Sequence, residues 1–208
     1  MNKNKVNTII LSAGLSSRMA YPKAFLSFRN TTFIENIYSS FFPVSDKLII
    51  VVSPQLYTKF RLEKILSDAE YVINQNIFNG RFYSIYIGIK QVGISNVFIH
   101  NVDVPGISKK TLEIMINALK PNAYVVPVYK GKSGHPILIS RKISNDILAI
   151  KNDFKDYNLR EFLKDYERIE VEVEDEFVVI NINTPSDLTL LYTKLEKFDN
   201  SAFKLNFY

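Results

Sequence analysis

The sequence predicts an α/β fold: a Rossmann-like three-layer arrangement with a mostly parallel central sheet and a smaller α+β portion in the C-terminal half. Two observations carry that expectation. Apolar runs suited to strands recur at 6–11, 47–52, 71–73, 96–99 and 123–128, and a stretch of helical character separates each from the next. After Lys130 the runs shorten, with strand-like segments at 136–139, 167–173 and 177–182 and a helical segment at 160–166.

Taken in order, the run 6–11 contains Asn7 and Thr8, is far too short to span a bilayer, and leads into a glycine loop where a secretion signal would have a cleavage site. It reads as the first strand of a cytoplasmic protein with no membrane partner. Ser53-Pro54 supplies a helix N-cap followed by proline at the first helical position, where a missing N–H costs nothing, and Leu56, Phe60 and Leu66 mark the apolar face that follows. Leu112, Met115, Ile116 and Leu119 repeat at helical spacing. Thr184, Pro185 and Asp187 read as N-cap, first residue and capping acid of a last helix. The end of the chain carries Phe203, Leu205, Phe207 and Tyr208, and so apolar a tail is expected to dock on its own domain. No repeat or low-complexity linker divides the 208 residues, so 1–208 reads as a single domain: a half 1–120, a half 121–195 and a tail 196–208.

Composition narrows the chemistry. Cysteine is absent and His100 and His135 are the only histidines, which excludes a disulfide framework, a thiolate metal site and a histidine-rich zinc site. Any metal must therefore sit on oxygen. The net charge of +5 is scattered along the chain without the interleaved basic and aromatic stripes of a nucleic-acid binder, and it suits phosphate-bearing small molecules no less than polynucleotides.

The first strand empties into LSAGLSSRMAYPK, residues 11–23, at the carboxyl edge of the expected sheet, where open α/β sheets bind ligands. Gly14 admits a close anion, Ser16 and Ser17 add small donors, and Arg18 and Lys23 are two cations able to flank a triphosphate; the bland alternative is a solvated loop with two stray cations. The loop is neither a Walker motif nor a GxGxxG fingerprint. Asp103, in NVDVPGIS, is a hard oxygen ligand suited to magnesium, and reads equally well as a turn residue capping the Pro105-Gly106 bend. Asn183 and, more weakly, Asn181 stand near the last helix without a capping role, and an ordinary strand-end asparagine is the other reading of both. His135 is, by itself, an ordinary loop histidine.

With these residues in place, LSAGLSSRMAYPKAFL resembles the LAAGxSxRMGxPKxLL signature of the MobA-like nucleotidyltransferases, in particular their molybdenum cofactor cytidylyltransferase branch. Ser12 and Ala20 replace the signature's alanine and glycine. The resemblance implies that Leu11, Ser12, Ala13 and Gly14 line the base, that Ser16 and Ser17 belong to the nucleotide loop, and that Arg18 and Lys23 hold the phosphates. NGRFYSIYIGIK resembles the family's Gly-x-x-x-Ser-Leu helix start and so puts Gly80 and Ser84 near the nucleotide. NVDVP lies where the family has GDxP, with Val102 for glycine, which implies a metal-binding and catalytic Asp103. ININTPSDL resembles DIDTPED or NVNTPED, implying Asn183 as a second metal ligand. GKSGHP resembles the G-x-x-GHP stretch that borders the acceptor site, hence Gly134, His135 and Pro136. DYNLREFL resembles DxGARxLL, adding Arg160, with Asn158 in the glycine position as a residue that tolerates positive φ.

By this resemblance the chain is a magnesium-dependent enzyme in which Arg18, Lys23 and Asp103 are catalytic. Its partners would be a nucleoside triphosphate, a phosphorylated small-molecule acceptor and a recipient molybdoenzyme. Ala13 gives the LAAG form associated with cytidylyl transfer, which implies CTP, and the GHP and DYNLR segments imply molybdopterin as acceptor. A sugar-phosphate or choline-phosphate acceptor, or a nucleotide-binding module without catalysis, are the alternatives.

Overall fold

A computed structural model describes residues 6–14, 19, 21–151 and 154–205. Strand β1 (Val6–Ser12) precedes a small hairpin of β2 (Ser27–Phe28) and β3 (Thr31–Thr32), then helix α1 (Phe33–Phe41), β4 (Ser45–Val52), α2 (Pro54–Glu63), β5 (Glu70–Ile73), α3 (Gly80–Val92), β6 (Val97–Asn101) and α4 (Lys109–Ala118). The second half adds β7 (Ala123–Tyr129), β8 (Lys132–Ser133), β9 (Ile137–Ile139), α5 (Arg141–Leu148), α6 (Leu159–Phe162), β10 (Glu167–Glu172) and α7 (Pro185–Leu205).

One sheet holds strands from both halves in the order β10-β7-β9-β6-β1-β4-β5, with β8 hairpinned onto β7. β1 pairs in parallel with β4 and β6, β4 with β5, and β10 with β7; the antiparallel pairs involve β9 and β8. The mostly parallel sheet expected from the sequence is thus present, and the change of character after Lys130 corresponds to the entry of β9 between β6 and β7.

Parallel strands buried on both faces explain the near-continuous apolar runs. Successive side chains point to opposite faces, so Ile10, Leu48, Ile50, Val52 and Phe98 join one core while Ile9, Leu11, Ile49, Val51, Val97 and Ile99 join the other. Helices α1, α2 and α4 cover the first face through Ile34, Ile37, Phe41, Leu56, Phe60, Leu112 and Met115. Helices α3, α5 and α6 cover the second through Phe82, Ile85, Ile89, Ile143, Ile147 and Leu159. Three layers result. A third cluster joins Phe28 and Phe33 to Ile182, Leu191 and Leu195, and so fastens α7 to the hairpin.

Local signals account for the helix starts. Ser53 Oγ accepts the Leu56 N–H at 3.2 Å ahead of Pro54, and Thr32 with Glu35 forms a reciprocal capping box on α1. Thr184 Oγ1 accepts the Asp187 N–H at 3.3 Å while Asp187 Oδ2 accepts the Thr184 N–H at 2.8 Å, as expected for the last helix.

Several expectations require correction. Residues 177–182 do not form a strand: Glu176–Val179 is a 3-10 turn capped by Asp175, because Val178 O is drawn to the His135 N–H (2.8 Å) and Ile182 N–H to Asp103 O (2.9 Å). Leu66 lies beyond α2, which stops where Lys64 turns left-handed. The helix expected at 160–166 is α6 followed by a 3-10 turn at Leu163–Asp165. Asn158 has φ −126°, with its side chain accepting the Arg160 N–H at 2.9 Å, so it serves as an N-cap and not as a positive-φ residue. The expected docking of the tail falls on side chains outside the described ones. No helix of the described residues is long and apolar enough to cross a membrane.

Candidate active site

The order of strands changes direction at β1: the chain proceeds from β1 to β4 and β5 on one side, then returns to β6 on the other. Leu11 pairs with Asn101, so β1 and β6 end level and their loops part above the sheet, leaving the crevice expected at such a switch point. A cleft of about 310 Å³ opens there, lined by the ends of both strands, the turn at Lys23, the start of α3 and Asn183.

Three side chains far apart in sequence meet in it. Lys23 starts a 3-10 turn pinned by buried Ala24 and Phe25, the latter ring packed 4.7 Å from that of Phe60. Its Nζ donates to Asn183 Oδ1 at 2.8 Å and lies 3.4 Å from Asp103 Oδ2. Backbone bonds assemble this trio. Val102 N–H donates to Leu11 O, and Ile182 N–H donates to Asp103 O, which brings the approach to the last helix against the end of β6. Asp187 Oδ2 then accepts the N–H groups of both Asn183 and Thr184, fixing the turn while the Asn183 amide reaches Lys23. Asp103 does not cap the Pro105-Gly106 bend; Asn36 Oδ1 accepts the Gly106 N–H at 2.8 Å instead. Gly106 itself is required, because its φ is +93° and a Cβ would lie 2.6 Å from the Phe177 ring.

The donor set fits a hard divalent cation. Asp103 Oδ1 is buried without a hydrogen-bond partner, and Asp103 Oδ2 and Asn183 Oδ1 already share one positive charge, the Lys23 ammonium. No group of three or more His, Cys, Asp and Glu side chains able to hold a metal exists among the described residues, so Asp103 and Asn183 would supply two oxygens and leave other positions to substrate and water.

At the far end of the cleft, Asn74 is fully committed on two sides: its N–H donates to Val52 O at 2.7 Å and its Oδ1 accepts the Asn76 N–H at 2.8 Å. Its amide nitrogen then donates to Ser84 Oγ at 2.9 Å, between two buried residues. Ser84 lines the cleft together with Gly80 and Ser12. Ser12 Oγ is buried with no partner.

The segment preceding β9 borders the opposite side. Gly134 donates its N–H to Pro127 O, and a Cβ there would stand 2.1 Å from Val178 O, so no other residue fits without displacement. His135 N–H donates to Val178 O, the His135–Pro136 peptide is cis, and Asn101 Nδ2 donates to His135 Nε2 at 3.5 Å. Burial pushes His135 down to about 4, reinforced by the Arg81 cation and opposed by Asp103. His100, wholly buried on β6, donates from Nε2 to Val104 O and is pushed down to about 3, by burial first and then by His135. Both rings are neutral near pH 7.

The structure brings together Leu11, Ser12, Ala13, Gly14, Lys23, Gly80, Ser84, Asp103 and Asn183 as cleft-lining residues. His135 reaches the cleft wall through Asn101; Gly134 and Pro136 flank it, and Arg160 stands exposed on α6 outside the lining. Asn181 is exposed and does not line the cleft. Ser16, Ser17, Arg18 and Ala20 lie outside the described residues. Sequence reasoning missed Arg81, Asn74 and Asn101. Arg81 lines the cleft from the first turn of α3; solvent still reaches it, yet the walls strip enough hydration to lower its pKa, against the pull of Asp103.

Known proteins resemble this chain in sequence and fold. A family model described as a MobA-like NTP transferase domain matches residues 8–170. The molybdenum cofactor cytidylyltransferase of Escherichia coli (strain K12) is 25% identical over 187 residues, covering 88% of this chain and 93% of that protein. A probable molybdenum cofactor guanylyltransferase of Flavobacterium johnsoniae is 25% identical over 195 residues, covering 91% and 98%. The crystal structure of Rv0371C in complex with manganese, from Mycobacterium tuberculosis H37Rv, superposes with a TM-score of 0.71 at 21% identity, over 89% of this chain and 96% of that one. With a family model matching residues 8–170, most of its length, the chain belongs to the MobA-like NTP transferase domain family and is a nucleotidyltransferase.

Proposed function

We propose that this enzyme transfers CMP from CTP to the phosphate of the molybdopterin cofactor, releasing pyrophosphate, with magnesium as its metal. The observation that carries the reading is the meeting of Lys23, Asp103 and Asn183 across 160 residues of sequence at the switch point of the sheet. The two relatives described above are named as a molybdenum cofactor cytidylyltransferase and a probable molybdenum cofactor guanylyltransferase. Ala13, which gives the LAAG form that the resemblance associates with cytidylyl transfer, supports cytosine.

The chemistry is in-line displacement. An acceptor phosphate oxygen attacks the α-phosphorus, the new P–O bond forms as the bond to the bridging oxygen of the β-phosphate breaks, and pyrophosphate leaves with that electron pair. A phosphate monoester is already anionic near neutrality, so no general base is needed, and His135 at about 4 is too weak a base to serve as one. Catalysis is positioning plus charge neutralisation. Lys23 and Arg18 hold the phosphates, Gly80 and Ser84 face the nucleoside, and Gly134, His135, Pro136 and Arg160 belong to the acceptor side. Asp103 and Asn183 would hold the magnesium, which supplies positive charge to phosphate oxygens. Residues 1–120 and 121–195 act as nucleotide and acceptor halves of one domain.

A panel of CTP, GTP and ATP, each with and without Mg²⁺ and with molybdopterin as acceptor, followed by pyrophosphate release, tests the reading. Magnesium-dependent release with CTP in excess over GTP is expected. Preference for GTP would overturn the base assignment, and nucleotide binding without turnover would reduce the protein to a binding module for this acceptor.

A further inference from the structure

Among the described residues, two cations line the cleft, Lys23 and Arg81. Lys23 is engaged by Asp103 and Asn183. Arg81 has no hydrogen bond and no ion pair among the described residues, although five N–H donors fan out from its guanidinium. Its position carries a cost, because it sits in the first turn of α3, where the helix dipole disfavours a cation. The residues that follow it hold it there, since Phe82 and Ser84 are buried.

Its surroundings in the cleft indicate what it can serve. Arg81 lines the same cleft as Asn101, Val102 and Asp103 at the end of β6, and Asn101 holds His135 at 3.5 Å, so the guanidinium shares its space with the β6 and β9 side. That side is bordered by Gly134, His135 and Pro136. The two histidines there are neutral and offer no charge to an anion. An attacking phosphate must nevertheless come within bonding distance of a polyanionic triphosphate, and like charges at that range repel strongly in a partly enclosed cleft. A planar guanidinium meets two phosphate oxygens at once, which both neutralises and orients them.

Resting on the nucleotidyl-transfer reading above, we propose that Arg81 binds the phosphate group of the acceptor and holds it beside Asp103 for attack, while Lys23 serves the triphosphate. Arg81 is thus a substrate-binding residue of the second anionic site.

The full chain is saturated with Mg²⁺ and the α,β-methylene analogue of CTP or GTP, whichever the wild type binds more tightly, and inorganic phosphate is titrated in and followed by ³¹P NMR. Arg81→Ala is expected to weaken phosphate binding by about tenfold or more, with part of the loss restored in Arg81→Lys. Affinity for the nucleotide analogue should change by less than about threefold, and thermal melting should confirm the fold. Unchanged phosphate binding in Arg81→Ala, a loss falling on the nucleotide instead, or no phosphate binding beside the nucleotide in the wild type each overturns the assignment. Turnover with molybdopterin separates the two readings. If the wild type binds phosphate through Arg81 but does not use molybdopterin, the acceptor named above falls and the role of Arg81 stands; if it uses molybdopterin with an acceptor KM unaffected by Arg81→Ala, the role of Arg81 falls alone.

Discussion

Replacing Asp103 by alanine separates the site's contribution to function from its contribution to stability. In the nucleotide-free protein the carboxylate makes a 3.4 Å ion pair with Lys23, whose side chain is 12% exposed against 21% for Asp103. A partly exposed pair of that kind stabilises by about 1 kcal/mol at most. Asp103 Oδ1, in contrast, is buried without a partner, and such a group costs about 1–3 kcal/mol. The two terms nearly offset each other, and Lys23 keeps its 2.8 Å bond to Asn183 when the carboxylate is removed. Asp103→Ala should therefore shift stability by no more than about 1–2 kcal/mol in either direction, or about 2–8 °C in Tm for a chain of this size. Turnover should fall by at least about a hundredfold, the scale on which losing a preorganised charge at a reacting phosphate acts. Calorimetric melting and a pyrophosphate-release assay on the same preparation measure both. Near-normal release from a folded Asp103→Ala variant, or a collapse in Tm far beyond that range, would refute the reasoning.

Gly134→Ala forces a Cβ against Val178 O, where the ideal position is 2.1 Å away, and overpacking of this sort costs about 1–3 kcal/mol; a drop in Tm accompanied by a raised acceptor KM is expected. Asp187→Ala frees the N–H groups of Asn183 and Thr184, so the magnesium concentration for half-maximal turnover should rise while the circular dichroism spectrum is kept. His135 and His100 have folded values pushed down to about 4 and about 3, below the ordinary histidine value, so on acidification the unfolded chain takes up protons before the folded one does. Their stabilisation is full above about pH 6.5 and is lost as pH falls toward those values. Melting temperature should decline through that window, and His135→Gln should flatten its upper part.

Much of this arrangement is legible in the residues because it follows from periodicity and strand ends. Runs such as TIIL and KLIIVV are apolar on both faces, as only buried parallel strands require, and the residues that follow β1 and β6 must lie at the sheet's carboxyl edge. That places Lys23 and Asp103 near one another before any coordinates are seen. Asn183 is readable only through its likeness to a family motif, since its approach to Asp103 depends on the bond from Ile182 N–H to Asp103 O, a contact with no sequence signature. The segment 177–182 misleads because its alternation is real but serves three different partners: the hairpin core through Phe177 and Ile182, His135 through Val178 O, and Asp103 through Ile182 N–H. Arg81 escapes notice for the opposite reason. A cation in the first turn of a helix breaks the usual charge pattern, and nothing local marks the exception as a cleft residue.

The position of Lys23 makes a last prediction that tests the site as a unit. Its ammonium bridges the two oxygens, Asp103 Oδ2 and Asn183 Oδ1, that would otherwise be free to hold a divalent ion. Without nucleotide, a metal entering there must displace the ammonium or tolerate it a few ångströms away, a repulsion of about 4 kcal/mol per pair of unit charges at 4 Å in a partly enclosed site. With nucleotide, the triphosphate offers Lys23 another partner, and the competition becomes cooperation. Lys23→Met should accordingly bind Mn²⁺ about tenfold or more tightly than the wild type in the absence of nucleotide, and more weakly than the wild type in the presence of CTP, as followed by electron paramagnetic resonance of free Mn²⁺. An Mn²⁺ affinity that ignores the substitution in the nucleotide-free protein would mean that the lysine and the metal do not contend for the same oxygens, and Asp103 with Asn183 would no longer be the pair that holds it.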